Sequence, residues 1–223
     1  MIITLGNIVF GGKGNGGGAP AAYVVPDGMS FAYSTSIPFD DFDFSQKTNF
    51  DRCWYFCSSL TEFPQLDLSK GTEFYYTWSN CSNLSSFPQL DLSAGTNFGY
   101  AWYRCETLTE FPQLDLSAGT NFSSAWNNCK ALTSFPALDL SSGISFLMAW
   151  RYCSALTNLG GFGAISADFS LSDSPNLTVE SLMNVINQAA TVTGKTMTLG
   201  STNLAKLTDE QKAVATNKGW TLA

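Results

Sequence analysis

Two residue types in this chain recur in a pattern that could support chemistry: cysteine and aspartate. Cys57, Cys81, Cys105, Cys129 and Cys153 repeat every 24 residues, and Cys53 precedes the first by four. A zinc site needs four ligands, yet the chain has no histidine and no second cysteine pair beside Cys53-x-x-x-Cys57. The missing histidine also removes His-based triads and His pH switches. The thiols therefore read as small hydrophobes in an apolar column, and no metal ligand is assigned. Asp43, Asp67, Asp91, Asp115 and Asp139 keep the same period. Carboxylates stacked one above another repel. Calcium could offset that, but each Asp accepting backbone N–H groups at a turn is the simpler reading. A carboxylate with one role in every repeat describes a scaffold, not an acid–base pair. No catalytic residue and no cofactor is assigned, and the chain is expected not to be an enzyme. Gln65, Gln89 and Gln113 are expected to form a side-chain amide ladder.

Composition points the same way. The chain has 223 residues, 44% of them apolar and only 13% charged, with 11 basic against 18 acidic residues. That is too apolar for disorder. It is too acidic for a nucleic-acid partner. No apolar run approaches the ~18–20 residues of a spanning helix, so no membrane insertion is expected. No basic residue precedes Lys13, and Thr4, Gly6 and Asn7 interrupt the apolar opening. No secretory signal is therefore expected. The matches to glycosylation sequons at Asn80, Asn83, Asn121 and Asn176 are read as chance.

The elements that position these residues follow from the repeat. Phe50, Trp54, Cys57 and Leu60 recur at intervals of 24 through Phe146, Trp150, Cys153 and Leu156 without an insertion. Phe-Pro, Leu-Asp-Leu-Ser and a glycine complete each unit. Phe98, Ala101, Trp102 and Cys105 stand at i, i+3, i+4 and i+7, which predicts a short amphipathic helix. Leu108–Phe111 and Leu114–Ser117 alternate as short strands do. The expected fold class is α/β: a leucine-rich-repeat solenoid of 24-residue coils, each a short helix plus short strands, with an α/β C-terminal cap. A coil cannot bury its stripe alone, and stacked coils bury it against each other.

Four segments are expected. Residues 1–24 form a Gly-rich anchor or linker, 25–48 an N-terminal cap half-repeat, 49–160 the solenoid, and 161–223 the cap. Gly12-x-Gly14-x-x-Gly17 matches a dinucleotide fingerprint only formally, because Gly18-Ala-Pro20 follows where a helix should open. Met1–Phe10 reads either as a docking peptide or as a tail. In the cap, Thr178 is expected to open one helix, and Thr208-Asp-Glu-Gln211 to form the capping box of another. Met197–Leu199 and Trp220–Leu222 read as short strands.

Binding is expected at the columns that vary. One, two, five and six residues after each repeat Phe the side chains change from coil to coil, and helical geometry puts them on the solvent side. They are rich in Tyr, Arg, Asn and Ser, the composition of binding surfaces. The candidate ligand-binding residues are Arg52, Tyr55, Phe56, Tyr75, Tyr76, Tyr100, Tyr103, Arg104, Met148, Arg151 and Tyr152.

The repeat Phe98-x-x-Ala-Trp-x-x-Cys-x-x-Leu-Thr-x-Phe-Pro-x-Leu-Asp-Leu-Ser117 resembles the short leucine-rich repeats of BspA-like surface proteins. It resembles more narrowly the variant in phage and prophage virion proteins. There a leader like Ile8–Gly14 precedes the array, and a tail like Met197–Trp220 closes it. The resemblance implies a solenoid without catalysis that serves adhesion or receptor binding. The expectation is a phage virion fibre or decoration protein, located in the virion. Residues 1–24 would join it to the virion or another large assembly, and the array would bind a host-surface protein or glycan. The alternatives are a bacterial cell-surface adhesin and a purely structural virion component. A homo-oligomer is left open.

Overall fold

The computed structural model describes residues 21–223. The anchor expected from Met1–Phe10 and the Gly-rich stretch lies outside the described residues. From residue 49 to 160 the chain winds in coils of 24 residues, each hydrogen-bonded to the next in parallel, and residues 25–48 add a slightly shorter coil before them. Bridges run from Asn49 through Glu73, Asn97 and Asn121 to Ser145 on one side. Others join Glu62 to Ser86 and Glu110 to Ser134 on a second. There the two-residue strands β3 (Ser134–Phe135) and β4 (Asn158–Leu159) pair in parallel.

The short helix expected in each coil is not formed. Residues 50–57 and their equivalents make two consecutive β-turns instead. Cys53 N–H donates to Phe50 O at 2.9 Å and Cys57 N–H to Trp54 O at 3.3 Å. The third residue of each turn is left-handed, with φ of 52° at Arg52 and 58° at Phe56, as type II turns require. The neighbouring coil explains the choice. A helix would direct its N–H groups to its own carbonyls. In the turns, Phe50, Arg52, Trp54 and Phe56 donate to Glu73, Tyr75, Thr77 and Ser79 of the next coil at 2.7–3.0 Å. No strand forms over 114–117 either. Pro64, Pro88, Pro112 and Pro136 remove a donor on that side. The segment then closes in a turn, as where Gly119 N–H meets Leu116 O at 2.9 Å. A Cβ on Gly119 would collide with the Phe122 ring and lie 3.0 Å from Leu116 O, and Gly71, Gly95 and Gly143 are confined in the same way.

Stacking turns each column into a ladder. Trp54, Trp78, Trp102, Trp126 and Trp150 are fully buried, with successive ring centroids 5.4–5.7 Å apart. The repeat Phe rings stack alongside at 5.2–5.7 Å. Each such pair adds about 0.5–1.5 kcal/mol beyond area burial. Among the described residues the five indole N–H groups have no hydrogen-bond acceptor. At the first four, a Phe ring stands nearly perpendicular at 4.7–4.9 Å, the available electron-rich neighbour.

At the N-terminal end β1 (Tyr23–Val24) pairs with β2 (Phe42–Asp43) in parallel. Phe31 and Tyr33 donate to Cys53 O and Tyr55 O at 2.6 and 2.8 Å. Residues 25–48 thus supply the turn side of a first coil, with Phe31 in the place of the Trp column. Lys47 is buried in the position that later coils give to glycine. Its Nζ donates to Pro26 O at 2.8 Å, and burial pushes its pKa down.

At the other end, β5 (Phe169–Ser170), β6 (Lys195–Thr198) and β7 (Trp220–Leu222) form a parallel sheet in that order. Helices α1 (Val179–Gln188), α2 (Gly200–Leu204) and α3 (Asp209–Asn217) accompany it. Thr178 Oγ1 accepts the Ser181 N–H as N-cap of α1, and Thr208 and Gln211 close a capping box on α3. Helix α1 covers the last coil. Ser181 Oγ donates to Thr157 O and accepts from Leu159 N–H, while Asn184 and Gln188 donate to Leu159 O and Gly160 O. The strand side of the last coil, an edge that could pair with another chain, is thereby covered. Lys218 Nζ in turn binds Ile186, Asn187 and Ala189 carbonyls at 2.6–3.1 Å, a cationic cap on the α1 C-terminus.

Candidate functional site

The variable columns lie on the turn side of the stack. Among the described residues of the array, ten non-glycine residues there have positive φ, all two or six residues after the repeat Phe. They are Arg52, Phe56, Tyr76, Asn80, Tyr100, Arg104, Ser124, Asn128, Met148 and Tyr152. Left-handed backbone costs an L-residue about 1–2 kcal/mol, which glycine avoids. The eight that precede the last coil each donate their N–H to the next coil, which holds them in that conformation.

The eleven candidate residues fall into two groups. Eight of them lie together, seven linked by ring contacts in one aromatic field and Arg104 next to Tyr103 at its end. Tyr55 meets Phe56 at 4.7 Å and Tyr76 at 5.8 Å, both edge to face. Tyr76 stacks on Tyr100 at 4.4 Å with 10° between planes. Tyr75 packs edge-on against Tyr76 and Tyr100, and Tyr103 against Tyr100. The Tyr75 ring lies over Gly99, where a Cβ would come within 2.9 Å of it. Arg104 ends the field in an ion pair with Glu106 at 3.1 Å, which Lys130 shares at 3.3 Å. Burial, and then the neighbouring Tyr75 and Tyr100, push the Tyr76 phenol up to about 12. Arg52 is fixed on both sides. Its Nη1 donates to Asp51 Oδ1 and Oδ2 at 3.0 and 2.8 Å. Its guanidinium carbon lies 5.7 and 5.0 Å from the Tyr75 and Tyr76 ring centroids. Burial pushes the Asp51 carboxyl up, against the pull of Arg52.

Met148, Arg151 and Tyr152 stand apart, in the last coil. Arg151 lies over Tyr152 at 4.7 Å and reaches Asp173 at 3.8 Å. Ile144 and Leu147 beside them are 78% and 66% exposed, and a cavity of about 370 Å³ opens between Met148, Arg151 and Asp173. The coil between the groups carries only Ser123, Ser124, Asn127 and Asn128. The expectation that all four columns face solvent needs correction here. Ser79, Asn80, Ser124 and Asn127 are buried. Coils stack at strand spacing, so short side chains form a floor between taller neighbours, bonded to one another as Asn80 is to Ser79.

Tyr33 is the member that the repeat did not reveal. It is left-handed, with φ of 63°, and it occupies the Phe56 column of the first coil. There it stacks on Phe56 at 5.3 Å and meets Tyr55 edge-on at 5.6 Å. The first coil is one residue shorter between these columns than a strict 24-residue count assumes, so the register hid it. A cavity of about 390 Å³ lies at this end, lined by Tyr33, Tyr55, Asn49, Asp51, Arg52 and Ser30.

The residues singled out for chemistry have scaffold contacts. Asp67, Asp91 and Asp115 each accept the N–H and hydroxyl of the serine two residues on, at 3.0–3.1 and 2.7 Å. Asp43 and Asp139 accept the corresponding N–H. These bonds hold Asp67 and Asp115 below the usual carboxylate range. The glutamine amide ladder is not formed. Gln65 and Gln113 donate instead to the backbone carbonyls of Gln89 and Ala137 in the next coil, the nearer acceptors on a side without a strand ladder. All six thiols are free and buried. Cys81 Sγ, for example, lies 3.1 Å from Trp54 O. Burial pushes Cys53 and Cys153 up to about 12, which makes them poor nucleophiles and poor ligands. Among the described residues no three of Cys, Asp and Glu converge as metal ligands. No described helix is long and apolar enough to cross a membrane. No family model, no curated protein and no solved structure matches the chain.

Proposed function

We propose that this chain is a non-enzymatic binding module. In this reading it is a leucine-rich-repeat solenoid with an α/β cap, and it attaches a phage virion to a ligand on the host surface as a fibre or decoration protein. One observation carries the binding part. At ten backbone positions where glycine would be the cheapest residue, the array places side chains, seven of them Arg, Tyr, Phe or Met. Strained backbone persists where the side chain it presents is used. The rings are also fixed against one another before any ligand arrives, which lowers the entropic cost of binding. The virion part rests on the resemblance of the repeat, leader and tail described above. The test is attachment of the purified protein to host cells, with Tyr100→Ala/Tyr103→Ala/Arg104→Ala and a deletion of residues 1–20, which spares β1, alongside. The triple variant is expected to lose attachment while keeping its circular dichroism, and the deletion to keep both. Undiminished attachment of the triple variant would overturn the assignment of this face.

A further inference from the structure

We infer that the cavity at the head of the aromatic field, between Tyr33, Tyr55, Asn49 and Asp51, is a subsite for one neutral sugar ring of a surface glycan. The inference rests on the binding reading above and narrows it to a ligand class.

Size sets the first limit. At about 390 Å³ the cavity is at the small end of ligand pockets, which run from about 300 to 1,000 Å³. It suits one ring of a longer chain. The walls set the second. Tyr33 is 61% exposed, yet it is held at 17° to Phe56 and 88° to Tyr55. It is a fixed platform with an open π face. The apolar C–H face of a pyranose packs on such a ring, its slightly positive hydrogens against the negative face.

The rim supplies the hydroxyl partners. Asn49 is exposed and lines the cavity, and its Oδ1 accepts the Asp51 N–H at 2.8 Å, which fixes the amide and leaves its NH₂ as the group to donate. Both Asp51 oxygens are held by Arg52, and each keeps a further lone pair. A sugar hydroxyl can accept from Asn49 and donate to Asp51 at once. Charge then selects a neutral ligand. Arg52 is neutralised by Asp51 and lies against Tyr75 and Tyr76, so the described lining of the cavity holds no unpaired cation for an acidic sugar.

A peptide adding as a strand fits less well, because it needs free backbone donors. Around this cavity the N–H groups of Phe31, Tyr33, Arg52 and Trp54 donate to the next coil and those of Cys53 and Tyr55 within their own.

The test uses the full chain. Ligand-observed saturation-transfer NMR is run against a panel of neutral and anionic methyl glycosides and short oligosaccharides. Attachment to host cells is measured in parallel, before and after mild periodate oxidation of their glycans. Tyr33→Ala removes the platform. Asn49→Asp keeps the acceptor for the Asp51 N–H and removes the NH₂ donor, so it reports on the rim if Tyr33→Ala should misfold. Tyr152→Ala, in the other group, is the control. The expected result is binding of a neutral glycoside that weakens about tenfold or more in Tyr33→Ala and Asn49→Asp, the scale of one good contact, and is unchanged in Tyr152→Ala. Periodate should abolish attachment. Attachment that survives periodate, with no neutral glycoside bound, overturns the sugar subsite and leaves the binding reading intact. Preference for anionic sugars, or equal binding by all variants, also overturns it. If the unaltered chain binds neither a neutral glycoside nor untreated host cells, the two readings are overturned together.

Discussion

At the scale of single residues, the left-handed positions of the turn side tie backbone to function. Arg104 has φ of 57° and is exposed. Among the described residues its one ion pair is with Glu106, which Lys130 also holds. An exposed pair contributes about 1 kcal/mol at most. A β-branched residue is a true outlier at positive φ, and glycine is at ease there. Arg104→Gly is therefore expected to keep or raise the melting temperature, and Arg104→Val to lower it. The two should differ by about 1–2 kcal/mol, or about 2–8 °C in a chain of this size. Both should weaken attachment alike, because both lose the guanidinium. Equal melting temperatures in differential scanning calorimetry would mean that the turn conformation is wrong. The thiols illustrate the opposite case. They are conspicuous in the sequence, and their burial assigns them to packing.

At the scale of the element, each coil is closed by a turn that tolerates almost no added volume. Gly119 packs against the Phe122 ring and Leu116 O. Its φ is not in the left-handed region, so the constraint is space and not conformation. Gly119→Ala is expected to cost about 1–3 kcal/mol by overpacking. Thr120→Ala, one residue on and exposed, loses only a hydroxyl bond to Thr96 O at 3.1 Å, about 1 kcal/mol or less. Urea denaturation of the two variants separates these expectations. The cap follows a different logic, because its elements are ordinary helices and strands with local signals. Thr178, Thr208 and Gln211 were legible because a capping bond is made within four residues. Its reach into the last coil, through Ser181, Asn184 and Gln188, was not legible, because those partners lie 22–28 residues away.

At the scale of the whole molecule, stability should be a sum of like coils and like interfaces. Deleting residues 121–144 removes one full turn and sets Ser145, Leu147 and Ala149 where Asn121, Ser123 and Ala125 stood. Each donor of the preceding coil then meets an equivalent carbonyl. The shortened chain is expected to fold and unfold cooperatively with a smaller urea dependence, since less surface is buried. Deleting residues 121–132 leaves half a turn and sets Trp102 against no Trp, so that chain is expected not to fold. Circular dichroism and urea titration of both deletions test the stack directly. The deletion of residues 121–144 also removes the small polar coil and brings the two groups of the turn side together.

Several features of this protein were determined by its sequence alone. Strict recurrence of Phe, Trp, Cys and Leu at 24 residues fixes which side chains meet in the next coil, because a parallel stack sets like upon like. The same recurrence separates constant core columns from variable surface ones. Only the tertiary structure decided the conformation between them. Over eight residues, two four-residue turns place apolar side chains at i, i+3, i+4 and i+7, as a helix does, so the pattern cannot distinguish them. The choice is made by hydrogen-bond partners that lie in the next coil, and no local pattern records them. For the same reason the position of Tyr33, the burial of Ser79 and Asn127, and the division of the variable face into two groups appear only when the coils are stacked.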